Sequence, residues 1–179
     1  VNLRPGTIWG PGGEVFTPMM GFSLGKRLFA VIGNGKFVVP FVYIDNLIEA
    51  IIKGIENHST AGGVYNVVDT DRITKKDYVD KLIKKLYPAA TCIYIPYGLL
   101  YSAVYIQEML FSSMGRKPFL TRYRLTSSQK NISYDSSKIQ NELGWSPGES
   151  FTTGLRKTII WYLNQKQWVE NIKTGAYQA

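Results

Sequence analysis

The feature that most constrains the fold is an alternation of helix-like and strand-like segments, and its clearest member is VYIDNLIEAIIKGIEN at residues 42–57. Asp45 stands where a helix N-cap is preferred, just before the apolar residues begin. Apolar side chains then recur every three or four positions, which predicts one apolar stripe on a helix over about 45–57. The stripe consists of Leu47, Ile48, Ile51, Ile52 and Ile55.

Further segments continue this alternation. Strands are predicted at residues 1–5, ended by Pro5-Gly6, and in GGVYNVVD and CIYIP. Thr74 and Asp77 have the spacing of a capping box at the start of another helix. The order of strands and helices indicates an α/β fold with some parallel pairing. The remaining predicted helices cover about 73–86, 136–143 with Ser136 or Ser137 as cap, and 150–170.

Three apolar stretches are less regular. Residues 14–30 predict a helix interrupted near Pro18 and Gly21, and GNGKFVV predicts a short strand or hairpin at 33–39. The stretch YGLLYSAVYIQEMLFSSMG predicts a long apolar helix that is shorter than a bilayer requires. We expect this helix to pack in a core or against a partner, and we do not expect membrane contact.

Composition limits the class of protein. With 179 residues, 45% of them hydrophobic, the chain can form one good core, and its 13% aromatic content argues against disorder. The single cysteine, Cys92, cannot form an internal disulfide, which suits a reducing compartment and predicts a cytoplasmic protein. The chain starts at Val1 without a visible signal peptide, and we expect it to be processed or part of a longer protein.

The net charge of +8 allows two interpretations. A basic balance favours anionic partners such as phosphates, nucleic acid or an acidic membrane. The lysines of ITKKDYVDKLIKKL, however, have the spacing of the solvated side of an amphipathic helix, and this simpler interpretation is preferred. A basic binding or interaction module without catalysis remains the alternative function, and we expect no nucleic acid partner.

Several familiar motifs are incomplete. GFSLGKR has three residues instead of four between its glycines and lacks the Ser or Thr after the lysine of a phosphate-binding loop, and GPGGEV and GNGKFVV lack the third glycine of a dinucleotide fingerprint. Tyr-x-x-x-Lys occurs at Tyr134–Lys138 and Tyr162–Lys166, and both are expected to be chance matches. His58 is the only histidine, so no metal site is predicted.

Four stretches in order resemble the C-terminal half of an extended short-chain dehydrogenase/reductase, the NAD(P)-dependent epimerase/dehydratase family. They are LRPGTIWGPG, GNGKFVVPFVYIDNLIEAI, GGVYNVVDTDRITKKDYVDKL and YDSSKIQNELGWSPGESFTTGLRKTIIWY. The resemblance implies one partial domain over residues 1–179. This domain would hold the last strands of a Rossmann sheet and a small mixed substrate-binding lobe.

The resemblance also implies which residues face ligands. By position, Pro5, Gly6 and Thr7 would lie beside the nicotinamide ring, where glycine permits close approach of the backbone. The family's glycine-rich loop and its catalytic tyrosine and lysine would precede this segment. We therefore predict no catalytic residue in the chain, NAD or NADP only in the full-length protein, and no coenzyme bound to this chain alone. The expected partners are the missing N-terminal part, a small-molecule substrate and, through exposed apolar edges, a second copy in a homodimer.

The substrate stays open between two classes. Members that act on sugar nucleotides often carry an arginine where this chain has Val39, and an R-x-G-D segment where it reads RYRLTSSQKNISYD. These differences, with IDN at 44–46, resemble the 3β-hydroxysteroid dehydrogenase-like branch and its apolar hydroxy or keto substrates. Candidate substrate contacts are Arg4, Lys36, Arg122 and Arg124.

Overall fold

A computed structural model describes residues 1–57, 62–118, 120–128 and 133–173, without the side chains of 124, 127–128 and 167–173. The chain divides into two compact units. Unit 1 consists of Val1–Glu14, Pro40–Ile73 and Ser133–Ala179, and unit 2 consists of Val15–Val39 and Thr74–Ile132. The single partial domain over residues 1–179 stays a prediction.

Unit 1 contains two pairs of short parallel strands. Strand β1, Asn2–Pro5, pairs with β6, Val64–Val67, in the register Leu3 to Tyr65. Strand β2, Thr7–Trp9, pairs with β5, Phe41–Tyr43. The chain therefore changes its hydrogen-bonding partner at Gly6. The predicted strands at 1–5 and in GGVYNVVD are confirmed.

Helices complete unit 1. Helix α1, Ile44–Glu56, follows β5 directly, and α6, Ser137–Leu143, and α7, Phe151–Lys173, close the described chain. A core of buried apolar side chains joins α1 to β5, β6 and α6: Val42, Leu47, Ala50, Tyr65, Val67, Ile139, Leu143 and Trp145. The predicted helices at 45–57, 136–143 and 150–170 are confirmed by α1, α6 and α7.

The predicted cap of α1 is wrong. Tyr43 occupies the N-cap position and makes no side-chain cap hydrogen bond, whereas Asp45 lies in the first turn. The Asp45 carboxylate instead accepts a hydrogen bond from Lys157 Nζ at 3.0 Å. In α6, Ser136 holds the N-cap position as predicted, but the Asp135 carboxylate accepts the Ser137 amide at 2.8 Å.

Unit 2 is built on one three-stranded sheet. Strands β3, Gly21–Leu24, and β4, Leu28–Ile32, are antiparallel, and β7, Thr91–Ile95, lies parallel to β4 on its other side. The predicted helix over 14–30 is therefore wrong, because the tight turn after Leu24 folds this stretch back as a hairpin. Strand β7 confirms the prediction for CIYIP.

The predicted strand or hairpin at 33–39 is also wrong. Gly35 has φ 73°, a left-handed conformation that glycine adopts without strain, and its carbonyl accepts the Lys76 amide. The Phe37 carbonyl accepts the Lys75 amide, and Val38 makes one isolated bridge to Thr74. The loop therefore supplies acceptors to the first turn of the next helix.

The helix after this loop begins with the predicted capping box, in which the Thr74 hydroxyl accepts the Asp77 amide at 3.0 Å. It runs as α2, Lys75–Tyr78, a π-helical turn, Val79–Ile83, and α3, Lys84–Leu86. The predicted helix at 73–86 is thus confirmed, although its middle turn is π-helical.

The long apolar helix is confirmed as α4, Tyr97–Ser113, and α5, Arg122–Ser128, follows it. The buried side chains of Ile32, Val104 and Leu125 pack together where α4 and α5 meet the sheet. Among the described residues, no helix combines the length and hydropathy needed to cross a bilayer.

Candidate functional site

The predicted nicotinamide contact is the point where the chain passes from β1 to β2. The Gly6 amide donates to the Val67 carbonyl at 3.0 Å, and the Thr7 amide donates to the Pro40 carbonyl at 2.7 Å. A Cβ atom at position 6 would lie 2.2 Å from the Pro40 carbonyl oxygen. Glycine is therefore required here by the protein's own backbone.

This segment offers a surface and not a complete coenzyme site. Pro5 is exposed and Thr7 is half-buried, so an apolar ring could lie against them. The amides of Gly6 and Thr7 already donate within the sheet, so they are not available to a carboxamide. Pro5, Gly6 and Thr7 alone do not fit a dinucleotide, which needs a phosphate-binding loop at a helix N-terminus.

A buried polar cluster of unit 1 is centred on Asn46, which the sequence analysis did not name as a functional residue. Its buried side-chain amide donates to Asp69 Oδ1 at 2.8 Å and to the Glu149 carbonyl at 2.9 Å, and its Oδ1 accepts the Glu149 amide at 2.8 Å. The Asn46 backbone carbonyl accepts Trp145 Nε1 at 3.0 Å. The IDN and LGW segments of the family resemblance thus meet in one network.

Two aspartates extend this network to the backbone. Asp69 Oδ2 accepts the Tyr43 amide at 2.8 Å, and Asp71 accepts the Phe151 amide at 2.6 Å at the start of α7. Burial raises the pKa of Asp69, while the hydrogen bonds from Asn46 and the Tyr43 amide oppose that rise. The cluster connects α1, the ends of β5 and β6, and the start of α7, so its role is structural.

The four predicted substrate contacts do not form one cluster. Arg4 is an exposed residue of β1 in unit 1, whereas Lys36 is exposed in the loop before Pro40 and belongs to unit 2. Arg122 opens α5 in unit 2. Arg124 lies in the same helix, and its side chain is outside the described part of the structure.

Arg122 is held by Glu108 of α4. Its Nε donates to Glu108 Oε2 at 2.5 Å, its amide donates to Oε1 at 2.7 Å, and its guanidinium lies 4.8 Å from the Tyr105 ring centroid. The backbone and side-chain hydrogen bonds from Arg122 lower the pKa of Glu108. Much of the charge of Arg122 is therefore balanced inside unit 2.

An open cleft of about 610 Å³ lies beside this pair. Apolar atoms of Tyr105, Met109 and Pro118 form part of its wall, and Arg116 and Lys117 bring positive charge to its edge. The cleft combines an apolar floor with cations, which suits a ligand that is partly apolar and partly anionic.

The Tyr-x-x-x-Lys pairs have other contacts. The Tyr162 hydroxyl donates to the Gly13 carbonyl. Lys138 Nζ lies 4.9 Å from the ring centroid of Tyr65, and Tyr134 precedes α6 instead of sharing its face. His58 lies outside the described residues, and within them no group of His, Cys, Asp and Glu could hold a metal ion.

Comparisons with known proteins define the class. The fold resembles that of UDP-glucuronic acid 4-epimerase from Bacillus cereus, solved with UDP-glucuronic acid and NAD, with a TM-score of 0.59 and 20% identity over 91% of this chain and 45% of that chain. The chain thus has the α/β fold of the C-terminal portion of a Rossmann-type enzyme.

Sequence relatives carry the same conclusion. A 3β-hydroxysteroid dehydrogenase/decarboxylase isoform 1 from Arabidopsis thaliana is 28% identical over 171 residues, 88% of this chain and 39% of the relative. A dTDP-glucose 4,6-dehydratase from Escherichia coli is 28% identical over 164 residues, 87% of this chain and 38% of the relative. No family model matches the chain.

These similarities match the extended short-chain dehydrogenase/reductase family of epimerases and dehydratases, which the sequence resembles. The chain spans less than half the length of these relatives.

Proposed function

We propose that the chain is the substrate-binding part of an NAD(P)-dependent oxidoreductase, epimerase or dehydratase, and that it is inactive alone. The observation that carries this proposal is the pair of separate two-stranded parallel sheets in unit 1. Parallel sheets in proteins are covered on both faces, and two short strands are not stable in isolation. The missing strands and helices would come from the N-terminal part of the same protein.

The surface of α1 supports the same proposal. Four of the five residues in its predicted apolar stripe are 42–70% exposed, and only Leu47 is buried. A helix with this pattern needs a second apolar surface against its outer side. The dinucleotide-binding part is the proposed occupant of this surface, and a homodimer stays an alternative prediction. The four exposed residues are Ile48, Ile51, Ile52 and Ile55.

Inactivity is proposed because neither Tyr-x-x-x-Lys pair of the chain is arranged for proton transfer. The Tyr162 hydroxyl donates to the Gly13 carbonyl, and Lys138 Nζ lies over the Tyr65 ring. The coenzyme, when bound by the full-length protein, would supply hydride chemistry. The chain itself would contribute apolar contact at Pro5 and Thr7 and the lobe that holds the substrate.

The substrate is proposed to be a sugar nucleotide or an apolar hydroxy or keto compound. Val39, where sugar-nucleotide members carry an arginine, is 2% exposed, and Arg122 is paired with Glu108. These two observations weaken a diphosphate clamp and favour the apolar class. The similarity to a dTDP-glucose 4,6-dehydratase keeps the sugar-nucleotide class in the proposal.

A fluorescence titration with NADH tests the proposal that the 179-residue chain lacks the coenzyme-binding part. We expect no saturable change with the 179-residue chain, and saturable binding once residues encoded ahead of Val1 are included. The same longer protein, supplied with dTDP-glucose or a 3β-hydroxysteroid and NAD, distinguishes the substrate classes by its turnover. Saturable micromolar binding of NADH by the chain alone would contradict the proposal.

A further inference from the structure

Two polar side chains of helix α4, Gln107 and Glu108, are turned toward the rest of unit 2. Gln107 Nε2 donates to the Leu120 carbonyl at 3.3 Å, and both carboxylate oxygens of Glu108 accept hydrogen bonds from Arg122. Glu108 is the only charged residue of the helix, and its side chain is 20% exposed. The polar residues thus lie on the same side as the buried Val104.

The outward side of α4 is apolar instead. Ile106 and Leu110 are each 56% exposed, and Met109 is 61% exposed. Two of the three serines of this helix use their hydroxyl hydrogens within it, because the Ser102 hydroxyl donates to the Gly98 carbonyl at 3.1 Å and the Ser113 hydroxyl donates to the Leu110 carbonyl at 2.8 Å. Serine hydroxyls that bond to their own helix are suited to an apolar environment.

Positive charge follows this apolar surface along the chain. From residue 109 to residue 134 the sequence contains no aspartate or glutamate. Arg116 and Lys117 are exposed directly after α4, where the Arg116 amide closes the helix by donating to the Phe111 carbonyl at 2.9 Å. The cations of this segment are Arg116, Lys117, Arg122, Arg124 and Lys130.

We propose that the outward side of α4 docks on the surface of an anionic lipid bilayer, with Arg116 and Lys117 at the headgroups. The 17 residues of α4 would lie in the interface, because the helix is too short to span the hydrocarbon. An exposed apolar side of a helix is stabilised at the bilayer interface, and the adjacent cations match an anionic surface.

This inference changes the expectation that membrane contact would be absent, because only the structure shows which way Gln107 and Glu108 point. It does not rest on the proposed function, since lipid binding requires no coenzyme. The open parallel strand pairs that the missing Rossmann strands would extend belong to unit 1, whereas α4 packs on the three-stranded sheet of unit 2.

Vesicle co-sedimentation of the full-length protein tests the proposal. Binding to phosphatidylcholine vesicles containing phosphatidylserine is expected to be roughly tenfold or more tighter than to phosphatidylcholine alone. The double variant Ile106→Asn/Leu110→Asn is expected to weaken binding by about tenfold or more, since it removes two exposed apolar side chains. Its control is Ile160→Asn, an isoleucine of α7 that is 51% exposed.

A charge variant separates the electrostatic contribution to lipid binding from the apolar contribution. Arg116→Glu/Lys117→Glu is expected to remove the preference for phosphatidylserine, whereas Lys26→Glu, an exposed lysine in the β3–β4 turn, leaves it in place. Circular dichroism checks that the variants keep their helical content. Wild-type protein that stays in the supernatant with both vesicle types would overturn the proposal.

A protein partner would give a different result. Self-association without lipid that the Ile106→Asn/Leu110→Asn variant abolishes, with no sedimentation of the wild type on vesicles, would show that a second copy covers α4. Equal weakening by Ile160→Asn would indicate nonspecific adsorption. Either result would overturn docking by α4 on lipid.

Discussion

At the scale of single residues, Gly6 lies where the chain leaves one strand partner for another. Gly6→Ala is expected to destabilise the protein by roughly 2 kcal/mol or more, because the new Cβ would overlap the Pro40 carbonyl and lie 2.8 Å from Val68 Cγ1. Urea unfolding measures the effect. Gly98→Ala is the control, since nothing lies within 4 Å of its Cβ position and alanine favours a helix. Equal stability of both variants would contradict this packing.

Lys75 is a second residue with a measurable signature. It is 1% exposed, its Nζ donates to the Met19 carbonyl at 2.9 Å, and burial lowers its pKa to about 8 from 10.5. The unfolded chain therefore binds more protons between about pH 8 and 10.5, and over this window Lys75 makes the free energy of unfolding rise with pH. Below pH 8 the full cost of the buried charge is present.

The variant Lys75→Met tests this linkage. It is expected to increase the free energy of unfolding at pH 7 by roughly 1–3 kcal/mol and to remove the rise between pH 8 and 10.5. The difference between wild-type and variant profiles isolates Lys75, because burial raises the pKa of Tyr43 and Tyr94 in both proteins. Lys76→Met, at an exposed lysine, is the control. A rise of equal size between pH 8 and 10.5 in the wild-type and Lys75→Met profiles would refute the linkage.

At the scale of elements, Asn46 connects α1 to the segment that starts α7. Asn46→Ala is expected to cost roughly 2–4 kcal/mol of unfolding free energy, because it leaves Asp69 Oδ1 and the Glu149 backbone without their Asn46 hydrogen bonds. Thermal and urea denaturation measure it. Asp45→Ala, which removes only an exposed pairing with Lys157, is expected to cost less than about 1 kcal/mol. Similar losses in both variants would argue against a special role for Asn46.

Local signals predicted some elements well and failed on others for a physical reason. The Thr74–Asp77 box and the isoleucines of α1 are encoded within one or two turns, so the sequence shows them directly. The β3–β4 hairpin was predicted as a helix because β4 gains its parallel partner from β7, far along the chain. Asn46 was missed since its partners Asp69 and Glu149 lie 23 and 103 residues further along the chain.

At the scale of the whole molecule, the family and fold class followed from four ordered motifs. The residues at 5–7 and the four basic candidates were predicted as ligand contacts, and these assignments remain predictions. Some motif residues are explained by folding instead of ligand binding. A side chain at Gly6 would overlap the Pro40 carbonyl, and Asn46 accepts hydrogen bonds from Trp145 and Glu149. Residues that recur in a motif for packing cannot be told from ligand contacts by spacing alone.

The interleaving of the two units along the chain has a consequence for biosynthesis. Strand β1 leaves the ribosome long before its partner β6. Strand β2 cannot pair with β5 until the whole of Val15–Val39 has been synthesised. Pairings of such long sequence separation form slowly. A nascent chain would expose the edges of β1 and β2 that later pair with β6 and β5 throughout this delay, which makes early co-translational capture by a chaperone valuable to a protein of this architecture.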